Sequence, residues 1–339
     1  MVRVIRYIQE SRLEELFRIL SRRGPLYLPL AEGPSLSFRP WSEGAPVDLK
    51  TVNSTVSAKE IFLPREEAYF CYRRAGRELA LEPLEQEAAN AVAFGLRACD
   101  LRGLEMLDRV FKDQDPPDGL YLRRREQTAI VALACAEPAP YCFCSLFGID
   151  PARAGGADLQ AWWHGEGLCL KALTAAGEEL LSSAGELLHE GPAGAEEPPR
   201  VETGNFGLKL EGLPAGLRER FDDPVWEELY RSCLGCGACT YICPTCYCFD
   251  LEDFGHQEKG ERYRCWDSCM FREFTLMAGG HNPRPTRKER VRNRFLHKLQ
   301  YYPERYGEIA CTGCGRCLRS CPVDLNIVQV IRALGGESR

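Results

Sequence analysis

Two stretches of this 339-residue sequence carry the same dense arrangement of cysteines. Each reads C-x2-C-x2-C-x3-C-P, and they run from Cys233 to Pro244 and from Cys311 to Pro322. Three thiols at this spacing can wrap three corners of one iron–sulfur cubane, whereas the fourth ligates the other cubane in two-cluster ferredoxins. The pattern therefore requires a fold in which the two stretches exchange their fourth ligands.

We predict two [4Fe-4S] clusters with exchanged ligands. The first cluster is assigned to Cys233, Cys236, Cys239 and Cys321, and the second to Cys311, Cys314, Cys317 and Cys243. The alternative is structural zinc, which favours two separated C-x2-C pairs with four ligands in total, so two complete runs argue against it. Glycines between the ligands are expected to let backbone N–H groups approach the sulfides and tune the potential; they are Gly235, Gly237, Gly313 and Gly315.

Four cysteines in the amino-terminal part are candidates for a third iron–sulfur site: Cys99, Cys135, Cys142 and Cys144. Cys99 ends the apolar run in "NAVAFGLRACD" and Cys135 ends the one in "TAIVALACAEP", as buried parallel strands would read. Open α/β sheets bind ligands beyond the carboxyl ends of their strands, where these thiols would converge. The alternative is that they are core thiols, because cysteines are common in buried strands.

A second group of cysteines follows the first motif in "CPTCYCFD" and "RCWDSC": Cys246, Cys248, Cys265 and Cys269. Three interpretations stay open for this group. It holds a further metal site, with Cys246, Cys248 and Cys269 as candidate ligands, or it shields the first cluster, or it packs as small buried hydrophobes. Cys71 and Cys169 stand alone in the sequence, and for them we expect packing in the core.

The fold class predicted from patterning is an α/β amino-terminal domain followed by a mostly α-helical dicluster ferredoxin domain. In the first domain, "LCLKAL" at Leu168 reads as a strand, Gly177 as a turn and "EELLSSAGELL" as a helix. The segment from His189 to Gly204 is rich in Gly, Pro and Glu and reads as a linker. We therefore place the domains at residues 1–203 and 204–339, and we expect helices in "DPVWEELYRS" and "RPTRKERVRNRFLHKLQYY".

The amino-acid composition limits the cellular compartment in which we expect the protein and the classes of partner that it can bind. The chain has 18 cysteines but neither a signal-peptide pattern nor an apolar run long enough to span a membrane. Clustered cysteines in a reducing cytosol are more often metal ligands than disulfides, so we expect a cytoplasmic metalloprotein. The net charge of −6 argues against a nucleic-acid binder.

One segment, "RPTRKERVRNRFLHK", is strongly basic. Because iron–sulfur clusters carry negative charge, we expect this segment to neutralise clusters, with docking to an acidic partner as the second interpretation. A redox-responsive regulator that binds nucleic acid through it is a third hypothesis, disfavoured by the charge of the chain. The basic residues are Arg284, Arg287, Lys288, Arg290, Arg292, Arg294 and Lys298.

Together with the two motifs, the segments "CPTCYCFD", "RCWDSCMFREFTLMAGGHNPRPT" and "FGLRACDLRGLEMLDRVF" resemble a known iron–sulfur family. It contains the A subunit of anaerobic sulfite reductase and the beta subunit of cytoplasmic sulfhydrogenase. The resemblance extends over most of the chain from Asn90 onward. It implies an electron-transfer subunit of an anaerobic oxidoreductase complex, paired with a flavin- and NAD(P)-binding diaphorase subunit and with a terminal reductase or hydrogenase subunit.

The chain lacks a G-x-G-x-x-G turn after a strand, a P-loop, an H-E-x-x-H motif and a nucleophile elbow. This agrees with an electron relay that has no catalytic site of its own. The competing hypothesis makes the amino-terminal domain a catalytic iron–sulfur reductase module. Its ligand would bind at the end of the sheet that carries Cys99, Cys135, Cys142 and Cys144. Substrate reduction by the isolated, reduced chain would favour the second hypothesis.

Overall fold

The computed structural model of the protein describes residues 4–83, 90–256 and 258–335. Those residues form two compact units, which we describe separately. The described parts of the first unit are 4–62, 90–207 and 311–319, and those of the second are 63–83, 208–256, 258–310 and 320–335. The predicted boundary between residues 203 and 204 lies close to the break after residue 207. A single cut of the chain, however, does not reproduce the two units.

The first unit is built on an eight-stranded mixed sheet. The strands are β1 (Ile5–Gln9), β2 (Leu26–Glu32), β3 (Ser35–Pro40), β6 (Ala91–Leu96), β7 (Thr128–Leu133), β8 (Leu159–His164), β9 (Gly167–Ala172) and β10 (His189–Glu190). Their order in the sheet is β10-β1-β9-β8-β7-β6-β2-β3. The central pairs, β2 with β6, β6 with β7 and β7 with β8, are parallel, and the outer pairs are antiparallel.

Helices cover this sheet because their apolar residues recur on one face. In "LEELFRIL", for example, Leu13, Leu16, Phe17 and Leu20 are buried against the sheet core. The helices of the first unit are α1 (Leu13–Leu20), α2 (Lys59–Phe62), α3 (Ala98–Phe111), α4 (Gly119–Gln127) and α5 (Ala175–Ala184).

The α/β prediction for the amino-terminal region is confirmed, with two local corrections. β6 ends at Leu96, so Cys99 lies in the first turn of α3 rather than at a strand end. β9 pairs antiparallel with β1 and β8, and Gly177 lies inside α5 rather than in a turn. A Cβ at Gly177 would lie 2.1 Å from the carbonyl oxygen of Asp158, so this glycine allows close packing of the helix.

The second unit contains a four-stranded antiparallel sheet with the order β11-β12-β4-β5. The strands are β4 (Glu66–Ala75), β5 (Glu78–Pro83), β11 (Phe249–His256) and β12 (Lys259–Trp266). Arg264 and Glu67 form a buried ion pair across β12 and β4. The prediction of a mostly helical second domain is therefore confirmed only in part, since β11 and β12 pair as long antiparallel strands.

The helices of the second unit are α6 (Leu213–Gly216), α7 (Val225–Leu229), α8 (Ala238–Tyr241), α9 (Arg287–Leu296), α10 (Tyr302–Tyr306) and α12 (Ile327–Ala333). The helix α11 (Arg316–Ser320) lies mostly in the first unit. The basic segment forms α9, which Thr286 and Glu289 cap at its start, and continues as a π turn over His297–Tyr301. In the described residues, no helix is both long and apolar enough to cross a bilayer.

Candidate iron–sulfur sites

The four cysteines assigned to the first cluster share one cavity in the second unit. Cys321 lies there beside Cys233, Cys236 and Cys239, although it belongs to the other motif. Gly237, Met270, Val291, Arg294, Phe295 and Pro322 also line this first-motif cavity. The geometry thus brings together the three thiols of one motif and the fourth thiol of the other.

Polar groups around the first-motif cavity are directed at the cysteine loop. The backbone N–H of Gly235 donates to Sγ of Cys233 at 3.3 Å, as expected for a glycine between ligands. The guanidinium of Arg294 donates to the carbonyl oxygen of Cys239 at 3.3 Å. Cys236 is exposed, and the side chain of Leu234 next to it is 61% exposed, so one edge of this site faces solvent.

Cys243, the fourth cysteine of the first motif, lies in a polar pocket of the second unit. Nζ of Lys298 lies 3.4 Å from Sγ of Cys243, 2.6 Å from Oγ1 of Thr245 and 3.2 Å from the carbonyl oxygen of Ala310. Thr245 also donates to Ala310 at 2.8 Å. Ala310 immediately precedes Cys311, the first cysteine of the second motif, in the sequence.

The Cys243 thiol has a pKa well below its ordinary value. A hydrogen bond with Cys246 lowers this pKa most, burial opposes the effect, and the ammonium of Lys298 lowers it further. Since a metal ligand must be a thiolate, this environment favours the form of Cys243 that binds iron.

The four amino-terminal candidates also share one cavity, which lies in the first unit. The thiols of Cys99, Cys135, Cys142 and Cys144 line it together with Cys314 of the second motif. All five cysteines are buried. Val52, Asn53, Pro138, Pro151, Thr203 and Gly313 complete this amino-terminal cavity.

Asn53 connects the thiols of the amino-terminal cavity. Its side-chain nitrogen lies 3.9 Å from Sγ of Cys142 and donates to the carbonyl oxygen of Cys314 at 2.8 Å. Its oxygen accepts from the Cys99 thiol at 3.7 Å. Sequence analysis missed this residue, since "TVNSTVS" reads as an ordinary polar loop.

Charged side chains lie buried beside the same cavity. Arg97 donates to carbonyl oxygens of Ala134, Leu49 and Thr51 at 2.8 to 3.0 Å, which holds the segment before Cys135 in place. Arg316 and Asp100 form a buried ion pair. Neither arginine was singled out from the sequence, because a lone arginine near a cysteine has no distinctive spacing.

Burial raises the pKa of every thiol in the amino-terminal set. It raises the pKa of Cys142 to about 11 and of Cys144 to about 12, and it raises those of Cys99 and Cys135 as well. Four thiolates cannot be buried together without cations, because each negative charge would lose its hydration and repel the others. Iron ions would supply that positive charge, so the donor set fits a cluster.

Two glycines of the second motif permit close packing on the loop that carries Cys142 and Cys144. A Cβ at Gly313 would lie 2.5 Å from the carbonyl oxygen of Phe143, and one at Gly315 would lie 2.1 Å from that of Tyr141. The carbonyl oxygen of Gly313 accepts from the N–H of Phe143 at 2.8 Å. These glycines thus serve backbone packing, a role that the sequence-based argument about sulfides had not anticipated.

The remaining cysteines separate into different environments. Hydrogen bonding to Cys248 and burial raise the pKa of Cys269 well above its ordinary value, and Cys246 adjoins both Cys243 and Cys269. Cys265 lies on β12 opposite Asp250 and Glu66.

The two lone cysteines also differ. Cys169 is fully buried in the core beside Trp162, as expected. Cys71 instead lines an open groove on the four-stranded sheet. Among the described residues, no group of His, Cys, Asp or Glu side chains is spaced to hold a single metal ion.

The basic segment turns much of its charge inward. Arg290 donates to the carbonyl oxygen of Met270 at 3.0 Å, and Arg294 and Lys298 contact the cysteine loops described above. Lys288 pairs with Glu227. These contacts agree with a segment that supports cluster loops.

Comparison with known proteins agrees with this geometry. Residues 232–325 match the family described as a 4Fe-4S dicluster domain. The chain is 30% identical over 337 residues to sulfhydrogenase 2 subunit beta of Pyrococcus furiosus, covering 96% of this chain and 98% of that protein. The chain belongs to the sulfhydrogenase beta-subunit family of iron–sulfur proteins. No solved structure gave a significant match.

Membership of the family confirms the resemblance inferred from the motifs. The protein is an iron–sulfur electron-transfer protein of the 4Fe-4S dicluster type. The family match spans both cysteine motifs and the hairpin between them. The name of the Pyrococcus furiosus relative describes that protein as a subunit of a sulfhydrogenase.

Proposed function

We propose that this chain relays electrons between a flavin- and NAD(P)-binding subunit and a terminal catalytic subunit of a cytoplasmic anaerobic oxidoreductase. The terminal subunit would be a hydrogenase, a sulfur or sulfite reductase, or an enzyme linked to heterodisulfide reduction. The relay would use two [4Fe-4S] clusters with exchanged ligands and a third cluster in the amino-terminal unit. The name of the Pyrococcus relative supports the hydrogenase alternative.

The ligands that we propose are three sets of four thiols. Cys233, Cys236, Cys239 and Cys321 hold the first cluster, Cys311, Cys314, Cys317 and Cys243 hold the second, and Cys99, Cys135, Cys142 and Cys144 hold the third. The first set is supported by its shared cavity, and the third by its four buried thiols, which line one cavity. The second set is supported by the motif spacing and by the bonds from the Cys243 loop to Ala310.

The observation that carries the relay is the position of Cys314. This cysteine belongs to the second motif and lines the amino-terminal cavity with the four thiols of the third set. A cluster held by the second motif would therefore lie next to a cluster held by the third set. Electrons can pass from one cluster to an adjacent cluster without a bound substrate, which is what an electron relay requires.

The exposed edge of the first-motif cavity is the proposed contact with a redox partner. Cys236 and Leu234 reach solvent there, so a partner's cofactor could approach the first cluster closely.

Anaerobic iron and acid-labile sulfide analysis tests the proposal. With about four irons per cubane, the wild-type chain should contain about twelve and a Cys142→Ser variant about eight. Cys169→Ser is the control, because Cys169 is a core thiol, and it should retain about twelve. An iron-free wild type with stoichiometric zinc would refute the function.

Partner identity needs a separate test. Anaerobic co-purification from the native host should recover a flavoprotein and a metal-containing catalytic subunit in fixed ratio. Substrate turnover by the isolated chain, after chemical reduction, would instead support the catalytic interpretation of the amino-terminal unit.

A further inference from the structure

A buried lysine touches the cysteine that the two motifs exchange. Lys298 is 2% exposed, and its ammonium lies within hydrogen-bond distance of Sγ of Cys243, Oγ1 of Thr245 and the carbonyl oxygen of Ala310. An ammonium group has three N–H donors, as many as these three acceptors. The pocket therefore suits the charged form of the side chain.

The position of Lys298 is fixed by the backbone as well as by the side chain. Its carbonyl oxygen accepts from the N–H of Ala310 at 2.9 Å. It lies in the π turn that continues α9, and such turns occur often at functional sites. Next to it, Nε2 of His297 and the hydroxyl of Tyr247 form a 3.0 Å hydrogen bond. This bond anchors the π turn to the segment that follows Cys246.

We propose that Lys298 raises the reduction potential of the cluster ligated by Cys243 through a charge-assisted N–H···S hydrogen bond. This inference rests on the iron–sulfur function proposed above. Reduction adds a negative charge to the cluster and its thiolates, and a buried positive charge stabilises the reduced form more than the oxidised form. A hydrogen bond to a ligand sulfur acts in the same direction, because it withdraws electron density from the sulfur.

The effect should be specific to one cluster. The first-motif cavity receives its own cation from Arg294, which contacts Cys239. Lys298 instead contacts Cys243, the proposed ligand of the second cluster. Arg294 donates to a backbone carbonyl, whereas Lys298 contacts a ligand sulfur, so the two cations would act to different extents on the potentials of their clusters.

An EPR-monitored redox titration of the full-length, cluster-loaded protein tests this inference. Lys298→Met keeps the approximate length of the side chain and removes the charge. The midpoint potential of one cluster should shift to more negative values while the others stay unchanged. That cluster should be the one whose EPR spectrum Cys243→Ser alters. If Lys298→Met shifts no midpoint, or shifts a different cluster, the inference is wrong.

Lys288→Met is the matched control. Lys288 is ten residues earlier on the same helix, about 15 Å along its axis, and pairs with Glu227 instead of a cysteine. The Lys288→Met substitution removes the same charge and should leave the midpoint potential of every cluster unchanged. An equal shift in this control would show a general charge effect and would overturn the specific role of Lys298.

A second measurement uses the wild-type protein and does not depend on the stability of a variant. After labelling with [ε-15N]lysine, pulsed EPR of the reduced protein should detect 15N coupling to the cluster ligated by Cys243. Absence of that coupling in a protein with normal iron content contradicts the inference alone. A wild type that contains no iron contradicts the proposed function itself.

Discussion

The guanidinium of Arg316 lies 2.9 Å and 3.2 Å from the two carboxylate oxygens of Asp100, and both side chains are almost completely buried. Arg316 stands between Cys314 and Cys317, whereas Asp100 follows Cys99. Arg316 also donates to the carbonyl and hydroxyl oxygens of Ser54 at 2.9 and 3.0 Å. One ion pair thus joins the second motif to α3, the helix that carries Cys99 of the third set.

Removing one partner of this pair should be costly. Arg316→Met leaves Asp100 charged, buried and unpaired, which costs about 3 to 5 kcal/mol of unfolding free energy. The double variant Arg316→Met with Asp100→Leu should recover much of that loss, because no charge remains buried. Anaerobic thermal or urea unfolding of the two single variants and the double variant measures the coupling. Additive losses would contradict a direct pair.

EPR spectra of cysteine variants test whether the two motifs exchange their fourth ligands. Cys321→Ser should change the same EPR signal as Cys239→Ser, because both thiols line the first-motif cavity. Cys243→Ser should change the same signal as Cys317→Ser. If each serine altered only the cluster of its own motif, the exchanged assignment would be refuted.

Close packing of the second motif makes Gly315 sensitive to a single added carbon. Gly315 has φ +71°, and a Cβ would lie 2.1 Å from the carbonyl oxygen of Tyr141. Gly315→Ala should therefore lower both the unfolding temperature and the iron content. Gly44→Ala is the control, since Gly44 has φ +77° but open space, and it should cost only about 1 to 2 kcal/mol. Equal losses in the two variants would show that backbone strain alone matters.

His297 makes stability depend on pH. Burial first, and the nearby Lys298 and Arg284 next, lower the pKa of His297 to about 4. The buried, neutral His297 stabilises the folded chain at pH values above the ordinary histidine pKa. This stabilisation is lost as the pH falls towards 4, because His297 binds a proton in the unfolded chain before it does so in the folded chain.

Because the pKa of His297 is lower in the folded chain than in the unfolded chain, the free energy of unfolding should fall by about 2 kcal/mol between pH 7 and pH 5. Urea unfolding at the two pH values should show that loss in the wild type and a smaller one in His297→Gln. His281→Gln, at an exposed position, should retain the wild-type dependence. Identical pH dependence in wild type and His297→Gln would contradict the assignment.

The spacing of residues within short segments of the chain was enough to predict the type of protein, its family and several of its strands and helices. The two runs of cysteines indicated a dicluster iron–sulfur protein, and the "CPTC" to "HNPRPT" segments indicated its family. Apolar runs predicted the parallel strands β6 and β7, and the basic segment was expected to form a helix, as α9 does. These features depend on residues that are close in sequence, where backbone geometry limits the alternatives.

Only the tertiary structure decided which distant residues meet. Asn53 reaches the thiols of Cys99 and Cys142, and Lys298 reaches Cys243, although no spacing rule relates them. The hairpin of β11 and β12 joins β4 and β5, which a helical reading of the second domain did not foresee. The physical reason is that burial, hydrogen bonding and charge pairing act between chain segments, so their partners are selected by packing and not by order along the sequence.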